Sequence, residues 1–167
     1  MRWARFLLLA ATLVILLVRW PAGLTAVGLL PWWPFLLVLL LGLRARIAPA
    51  VSLSWLLGLS VDSLSLGPLG LHAFLFGLTA LALARIRGHL FAAHPATQTV
   101  LALVLTLLVT LALLVRLNLA EPDFRLPGHV PAAVLLSLLT GAAFPLVASL
   151  DLRLGLTEGF REGERLH

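Results

Sequence analysis

Long apolar runs dominate this sequence and restrict the kinds of fold that it can adopt. Up to about position 118, nearly every window of about 19 residues is apolar enough to cross a lipid bilayer. The chain has 167 residues, of which 61% are hydrophobic, and its mean hydropathy is +1.08. A soluble domain of this length could not bury so much apolar surface, since ordinary usage is about 45–50% apolar. The sequence therefore predicts an all-α membrane protein with several spans.

Arginine, proline and glycine residues divide the apolar sequence into separate spans. The first run follows basic residues as a signal peptide would, but no small-residue cleavage site comes after it, so we expect a retained helix. The second run contains Pro31 and Pro34, so its helix should begin near Leu29 or follow a short interfacial segment held by Trp32 and Trp33. Six transmembrane helices are predicted, over residues 3–20, 22–43, 47–66, 68–84, 96–117 and 130–150.

The arginine residues predict the orientation of these spans. Lysine is absent, and nine of the twelve arginines fall on the side that holds both termini. Cytoplasmic loops carry such an excess, so we expect an N-in, C-in topology with the polar stretch 118–129 outside. The same bias accounts for the net charge of +5 without a nucleic-acid partner. Residues 1–150 would form one six-helix transmembrane domain and residues 151–167 a short cytoplasmic tail. The inner set is Arg2, Arg5, Arg44, Arg46, Arg85, Arg87, Arg153, Arg161 and Arg165, and the outer set is Arg19, Arg116 and Arg125.

Residues suited to catalysis or metal binding are sparse and scattered. Cysteine is absent, which excludes disulfides, thiolate metal sites and cysteine nucleophiles. The five histidines form no HExxH motif and have no carboxylates at metal-ligand spacing. No serine belongs to a recognisable nucleophile motif, and no glycine-rich loop is built to hold phosphate. The sequence therefore predicts a protein that is not an enzyme and has no cofactor or metal.

The third span carries the one carboxylate that lies within a predicted span. Ser54, Gly58 and Asp62 are spaced at i, i+4 and i+8, so they share one helix face. A carboxylate is costly in lipid, and this face should therefore point into the helix bundle.

Small residues also line one face of the fourth span. They recur at alternating spacings of three and four, which lets two helix backbones approach closely. Alanine and glycine are common in membrane helices, so chance is the alternative explanation. Either way the pattern indicates helix packing or partner binding rather than chemistry. The residues are Gly70, Ala73, Gly77, Ala80 and Ala84, and a shorter row on the sixth span is Ala133, Ser137 and Gly141.

Asp62 itself has two interpretations. It could be a proton or ligand site, or it could be a structural carboxylate near the outer end of its helix. In the structural interpretation it forms an outer-side ion pair with Arg19 or Arg116, or caps the turn at 67–70. The structural interpretation is favoured, because a proton relay would need further ionisable groups and none lies in the middle of a span.

The stretch 57–91 carries a family resemblance. Its sequence, LGLSVDSLSLGPLGLHAFLFGLTALALARIRGHLF, resembles the signature region of the MreD family, the rod shape-determining membrane proteins. That pattern has a GxxxD helix, a short turn rich in serine and glycine, a PLG motif with a small apolar helix, and a basic turn. The second span is more interrupted by proline than is usual, and the tail after Asp151 is somewhat long. The matching residues are Gly58, Asp62, Gly67, Pro68, Leu69 and Gly70.

The resemblance implies a non-enzymatic, multi-pass subunit of the bacterial elongasome in the cell inner membrane. It would have a fold similar to the substrate-binding S components of energy-coupling-factor transporters. Its implied partner is an MreC-like bitopic protein, and through it MreB, RodA and the elongation penicillin-binding protein. The implied role is to help organise side-wall peptidoglycan synthesis.

A transporter component is the alternative function. Such a protein would bind a vitamin or another small molecule between convergent polar groups and aromatic walls. The candidates for that pocket are a thin set, namely Asp62, His72, Arg116, Asn118 and the pair Trp32 and Trp33. The scaffold interpretation is therefore favoured.

Overall fold

The computed structural model describes residues 32–64, 69–87, 94–120 and 126–154, and these ranges are almost entirely helical. The first predicted span and residues 155–167 lie outside the described residues. Three described helices contain an apolar stretch long enough to cross a membrane, and two are shorter. The all-α class is thus confirmed for the described ranges, while the number of six spans remains a prediction. The helices are α1 (Trp33–Arg44), α2 (Ile47–Leu64), α3 (Leu71–Ile86), α4 (Pro95–Ala120) and α5 (Leu126–Leu154).

Helix α1 lies at the centre of the described helices. Its side chains are buried on every side, and those from Phe35 to Leu41 are at most 2% exposed. A helix that is apolar all round is expected to be enclosed by other elements. Helix α1 meets that expectation by contacting α2, α3, α4 and α5.

The remaining helices form two antiparallel pairs around α1. Helix α2 packs most extensively against α3, and α4 packs most extensively against α5. The two pairs have few direct contacts with each other, so α1 is the main connection between them. Glycines allow close packing in both halves. A Cβ atom on Gly42 of α1 would lie 2.8 Å from Leu83 Cβ of α3, and one on Gly141 of α5 would lie 3.1 Å from the Thr99 carbonyl oxygen of α4.

The two ends of the bundle differ in charge. At one end, the C-terminus of α1, the N-terminus of α2 and the C-terminus of α3 meet, and we name this the arginine end. At the opposite end lie Trp32 before α1, the C-terminus of α2 and the N-terminus of α3. The arginine end carries Arg44, Arg46, Arg85 and Arg87.

Prolines and a glycine decide where α1 and α3 begin. Helix α1 begins at Trp33 instead of near Leu29, because Trp32 is non-helical (φ −77°, ψ 82°) and Pro34 occupies the first turn, where its missing N–H is tolerated. The interfacial segment expected before Trp32 lies outside the described residues. Helix α3 begins at Leu71 instead of residue 68, because Gly70 adopts a left-handed conformation with φ +100°.

Helices α4 and α5 extend into the stretch 118–129, which the sequence predicts as an outer loop. Helix α4 continues to Ala120 and α5 already begins at Leu126, so the expected loop is wrong at both of its ends. Polar side chains are tolerated there because they are exposed on the helix surface, as Asn118 and His129 are. Pro127 lies in the first turn of α5, where no backbone N–H is needed.

Helix α5 also ends later than expected, at Leu154 instead of Leu150. Asp151 is only 2% exposed and its carboxylate lies 2.7 Å from the Arg44 guanidinium. Because this ion pair joins the last turn of α5 to the end of α1, the first residue assigned to the tail belongs to the helix bundle.

Candidate functional site at the α2–α3 hairpin

The backbones of α2 and α3 approach each other closely at Gly58 and Ala73. A Cβ atom placed on Gly58 would lie 2.4 Å from Ala73 Cα, 2.5 Å from Ala73 N and 2.5 Å from the His72 carbonyl oxygen. Carbon atoms pack at about 3.5–4.0 Å, so no side chain fits at Gly58 without separating the two helices. The glycine thus sets the distance between α2 and α3.

One turn further along α2, Asp62 caps the N-terminus of α3. Its Oδ2 accepts the backbone N–H groups of Gly70 at 2.9 Å and Ala73 at 3.1 Å, and its Oδ1 accepts the N–H of His72 at 3.1 Å. The first N–H groups of any helix have no partner within that helix. A carboxylate there forms charge-assisted hydrogen bonds and also interacts favourably with the helix dipole.

The His72 side chain also contacts this carboxylate. Its Nδ1 lies 2.7 Å from Asp62 Oδ1. Because an ionised carboxylate only accepts hydrogen bonds, Nδ1 must carry the proton in this contact. Asp62 is 1% exposed, and the imidazole ring meets Trp32 and Phe76 edge-on at centroid distances of 6.1 and 6.0 Å.

Trp32 extends these contacts to α1 and α5. Its indole stacks on Phe35 of α1 at 5.2 Å, and its backbone N–H donates to Thr140 Oγ1 of α5 at 3.0 Å. A continuous path of contacts therefore runs from Asp62 through His72 and Trp32 to Thr140. It ties three parts of the bundle together at the end opposite the arginines.

The family model described as rod shape-determining protein MreD matches residues 1–150. The chain belongs to the MreD family. That family is a structural, shape-determining one and is not known as an enzyme family. No curated protein and no solved structure shows significant similarity to the chain. Together, the family and the three long apolar helices make this a membrane protein.

Four of the six MreD-like motif residues lie in the ranges that the structure describes. Gly58 and Asp62 share the face of α2 that meets α3, together with Ser54, which is fully buried and whose hydroxyl has no hydrogen-bond partner among the described residues. Gly70 provides the left-handed turn before α3 and donates to Asp62. Gly67 and Pro68 lie outside the described residues, and Leu69 is 73% exposed.

The small residues of α3 are buried, but they do not face a single neighbour. Ala73 meets the backbone of α2 at Gly58, while Ala80 Cα lies 3.3 Å from the position of a Cβ on Gly42 of α1. Gly77 faces the Trp55 side chain at an ordinary 3.7 Å. Helix α3 therefore packs between α1 and α2, and the residues buried on it include Ala73, Gly77, Ala80 and Ala84.

The side chain beside Asp62 differs from those considered in the sequence. His72 occupies that position, and Arg116 lies on α4, which has few contacts with α2 and α3. Within the described ranges Arg116 forms no ion pair. Arg19 lies outside the described residues, so its pairing with Asp62 remains a prediction. His72 lies two residues after Gly70, the last residue of the MreD-like PLG motif. This position is the sequence signal that could have identified His72 as a neighbour of Asp62.

Three further contacts were not predicted from the sequence. At the arginine end, Arg44 pairs with Asp151, and Arg87 Nη1 donates to the Ala45 carbonyl oxygen at 2.6 Å. Thr140 is an unremarkable residue in a helical run, so nothing in the sequence marks it as the acceptor for Trp32. These contacts join residues more than 40 positions apart, so they could not be predicted from spacing along the sequence.

The residues proposed for a transporter pocket are only partly brought together. Asp62, His72 and Trp32 converge, and aromatic rings pack closely beside them, since Trp32 and Phe76 meet at 5.5 Å and Phe35 and Phe76 at 5.4 Å. Asn118 is exposed on α4. In the described part of the chain, no group of three or more histidine, aspartate or glutamate residues could hold a metal ion. The contacts of Asp62 and Trp32 hold neighbouring helices together.

Proposed function

We propose that this chain is a non-enzymatic, multi-pass subunit of the cell-elongation complex in the inner membrane. It would bind an MreC-like bitopic protein and thereby help to organise side-wall peptidoglycan synthesis, with MreB, RodA and the elongation penicillin-binding protein as indirect partners. The observation that carries this proposal is the MreD family match over residues 1–150.

The proposed topology has six spans with both termini in the cytoplasm, in a fold resembling the S components of energy-coupling-factor transporters. The antiparallel order of the described helices supports this topology, because it gathers Arg44, Arg46, Arg85 and Arg87 at one end. Positive charge of this kind favours the cytoplasmic side.

The geometry of the hairpin supports a scaffold. Gly58 and Asp62 are engaged with α3 inside the bundle, so they would hold the helices in one arrangement rather than touch a partner directly. A partner helix would instead meet the outward faces, where apolar residues are exposed. These include Leu78 on α3 at 51%, Leu108 on α4 at 58% and Leu138 on α5 at 49%. Close packing of outward faces is what drives helix association in lipid.

Photocrosslinking in the native rod-shaped host tests the partner. A crosslinking amino acid would replace Leu78, Leu108 or Leu138 in turn, with the buried Phe144 (1% exposed) as the control position. We expect a crosslink to the MreC-like protein from one exposed face and none from Phe144. Absence of that crosslink from every outward face of the described helices would contradict binding through them.

Depletion of the chain from the same host tests the function. We expect the cells to lose rod shape and to regain it when the wild-type chain is expressed. Cells that stay rod-shaped but lose uptake of a nutrient would overturn the scaffold and support the transporter alternative.

A further inference from the structure

The four arginines at the arginine end form two pairs that differ in their contacts. Arg44 pairs with Asp151, and Arg87 donates to the Ala45 carbonyl at the end of α1. Arg46 and Arg85 are exposed, and neither guanidinium group forms a hydrogen bond or an ion pair with any part of the chain that the structure describes. Two arginines are thus used to hold the fold, and two remain available to an outside anion.

An apolar groove of about 610 Å³ lies on the outer surface of the α2–α3 hairpin. Its one hydroxyl group already has a hydrogen-bond partner, because Ser52 Oγ donates to the Ala48 carbonyl of its own helix at 2.9 Å. Two of its large side chains, Ile47 and Trp55, are 42% and 47% exposed. The lining residues include Ile47, Ala48, Val51, Ser52 and Trp55 from α2 and Leu81 from α3.

The length of the groove fits one acyl chain. On α2 it runs from Ile47 to Leu56, a rise of about 14 Å for an α-helix. The hydrocarbon core of a bilayer is about 30 Å thick. The groove therefore covers about one leaflet, whereas a spanning partner helix would need contacts along the full thickness.

The two available arginines lie at the mouth of this groove. Arg46 directly precedes Ile47, and Arg85 is four residues beyond Leu81, on the same face of α3 one turn closer to the arginine end. A guanidinium group binds phosphate through paired hydrogen bonds. An apolar groove one leaflet long with two cations at its headgroup end is complementary to a phospholipid that has a net negative charge.

We propose that the groove binds one anionic phospholipid, with an acyl chain along Ile47, Val51 and Trp55 and the phosphate between Arg46 and Arg85. The inference rests on the membrane location of the proposed function, but it does not depend on the protein partner.

Native mass spectrometry of the purified full chain tests whether binding depends on the negative charge of the lipid and on the two arginines. Phosphatidylglycerol and phosphatidylcholine with identical acyl chains would be titrated separately. We expect tighter binding of phosphatidylglycerol, falling about fivefold for Arg46→Gln or Arg85→Gln alone and about thirtyfold for both. Arg116→Gln, which removes an arginine from α4, is the matched control and should leave binding unchanged. Equal affinity for the two lipids, or full binding by the double variant, would overturn the proposal.

A second variant tests the groove itself. Ser52→Trp fills the apolar groove from an exposed position. Leu108→Trp is the control, because it adds the same side chain to an exposed position of α4. We expect Ser52→Trp to abolish retention of phosphatidylglycerol and Leu108→Trp to preserve it, with both variants unfolding at the wild-type temperature.

The MreC-like partner would be measured by co-purification in the same preparations, which separates the two proposals. If Ser52→Trp removes the partner and leaves lipid binding intact, the groove is a protein-docking surface and the lipid proposal is wrong. If lipid binding follows the expected pattern but no partner is recovered from wild type, the lipid site stands and the proposed partner does not.

Discussion

Asp62 and His72 are joined by two hydrogen bonds to one carboxylate oxygen, 3.1 Å from the His72 backbone nitrogen and 2.7 Å from its Nδ1 atom. One oxygen therefore orients both the start of α3 and the imidazole that packs against Trp32. This contact links the local geometry of the α2–α3 hairpin to the packing of the whole bundle.

Removing the charge of Asp62 should weaken this end of the bundle. Asp62→Asn keeps the shape but places an amide NH₂ group where a carboxylate oxygen accepted N–H groups. We expect a loss of about 1–3 kcal/mol in the free energy of unfolding, because buried donors lose their acceptor. Thermal unfolding and the yield of folded protein in detergent would measure it. Ser63→Ala on the exposed surface of α2 is the control. An Asp62→Asn variant with unchanged folded yield that fails to restore rod shape would instead indicate a direct functional role.

Gly58 should not accept even a methyl group. Gly58→Ala places a Cβ 2.4 Å from Ala73 Cα, so the helices must separate, at a cost of about 1–3 kcal/mol. Gly77→Ala is the matched change on the facing helix, where the nearest atom, in the Trp55 side chain, is 3.7 Å away. We expect a lower unfolding temperature for Gly58→Ala and little change for Gly77→Ala. Equal effects of the two changes would show that the close approach at Gly58 is unimportant.

Thr140→Val should release Trp32 from α5. The substitution conserves side-chain shape but removes the acceptor of the Trp32 N–H, and an unsatisfied buried donor costs about 1–3 kcal/mol. Thr79→Val is the matched control, since its hydroxyl donates only to the Leu75 carbonyl of its own helix. Tryptophan fluorescence together with thermal unfolding would report the change. A shift no larger than that of Thr79→Val would count against the contact.

Breaking the ion pair between Arg44 and Asp151 should destabilise the arginine end. Their side chains are 12% and 2% exposed, so Asp151→Leu leaves the largely buried Arg44 guanidinium without this carboxylate, at a cost of about 3–5 kcal/mol. Replacing both residues with leucine should cost less than Asp151→Leu alone, because the Arg44 charge is then removed as well. A double-mutant cycle on unfolding free energies measures the coupling. Strictly additive effects would mean that the two residues do not interact.

Features that depend on neighbours along the chain, such as the faces of a helix, can be predicted from the sequence. The face shared by Ser54, Gly58 and Asp62 follows from helical periodicity, and all three are buried. Boundaries were less well predicted, because they depend on particular backbone conformations. The start of α3 depends on the left-handed Gly70, and the end of α5 depends on an ion pair with a residue 107 positions away.

The sequence by itself determined the class of the protein and its family. A chain this apolar must satisfy its backbone hydrogen bonds within helices once it is in lipid. The GxxxD and PLG motifs each span only a few positions along the chain, so they can be recognised without the fold. Only the tertiary structure decided which partner each charged group takes. Asp62 contacts His72, while Arg44 and Arg87 hold helix ends and Arg46 and Arg85 face outward. The physical reason is that hydrogen bonds and ion pairs act over a few ångströms in space, and spacing along the chain does not specify which distant residues come that close.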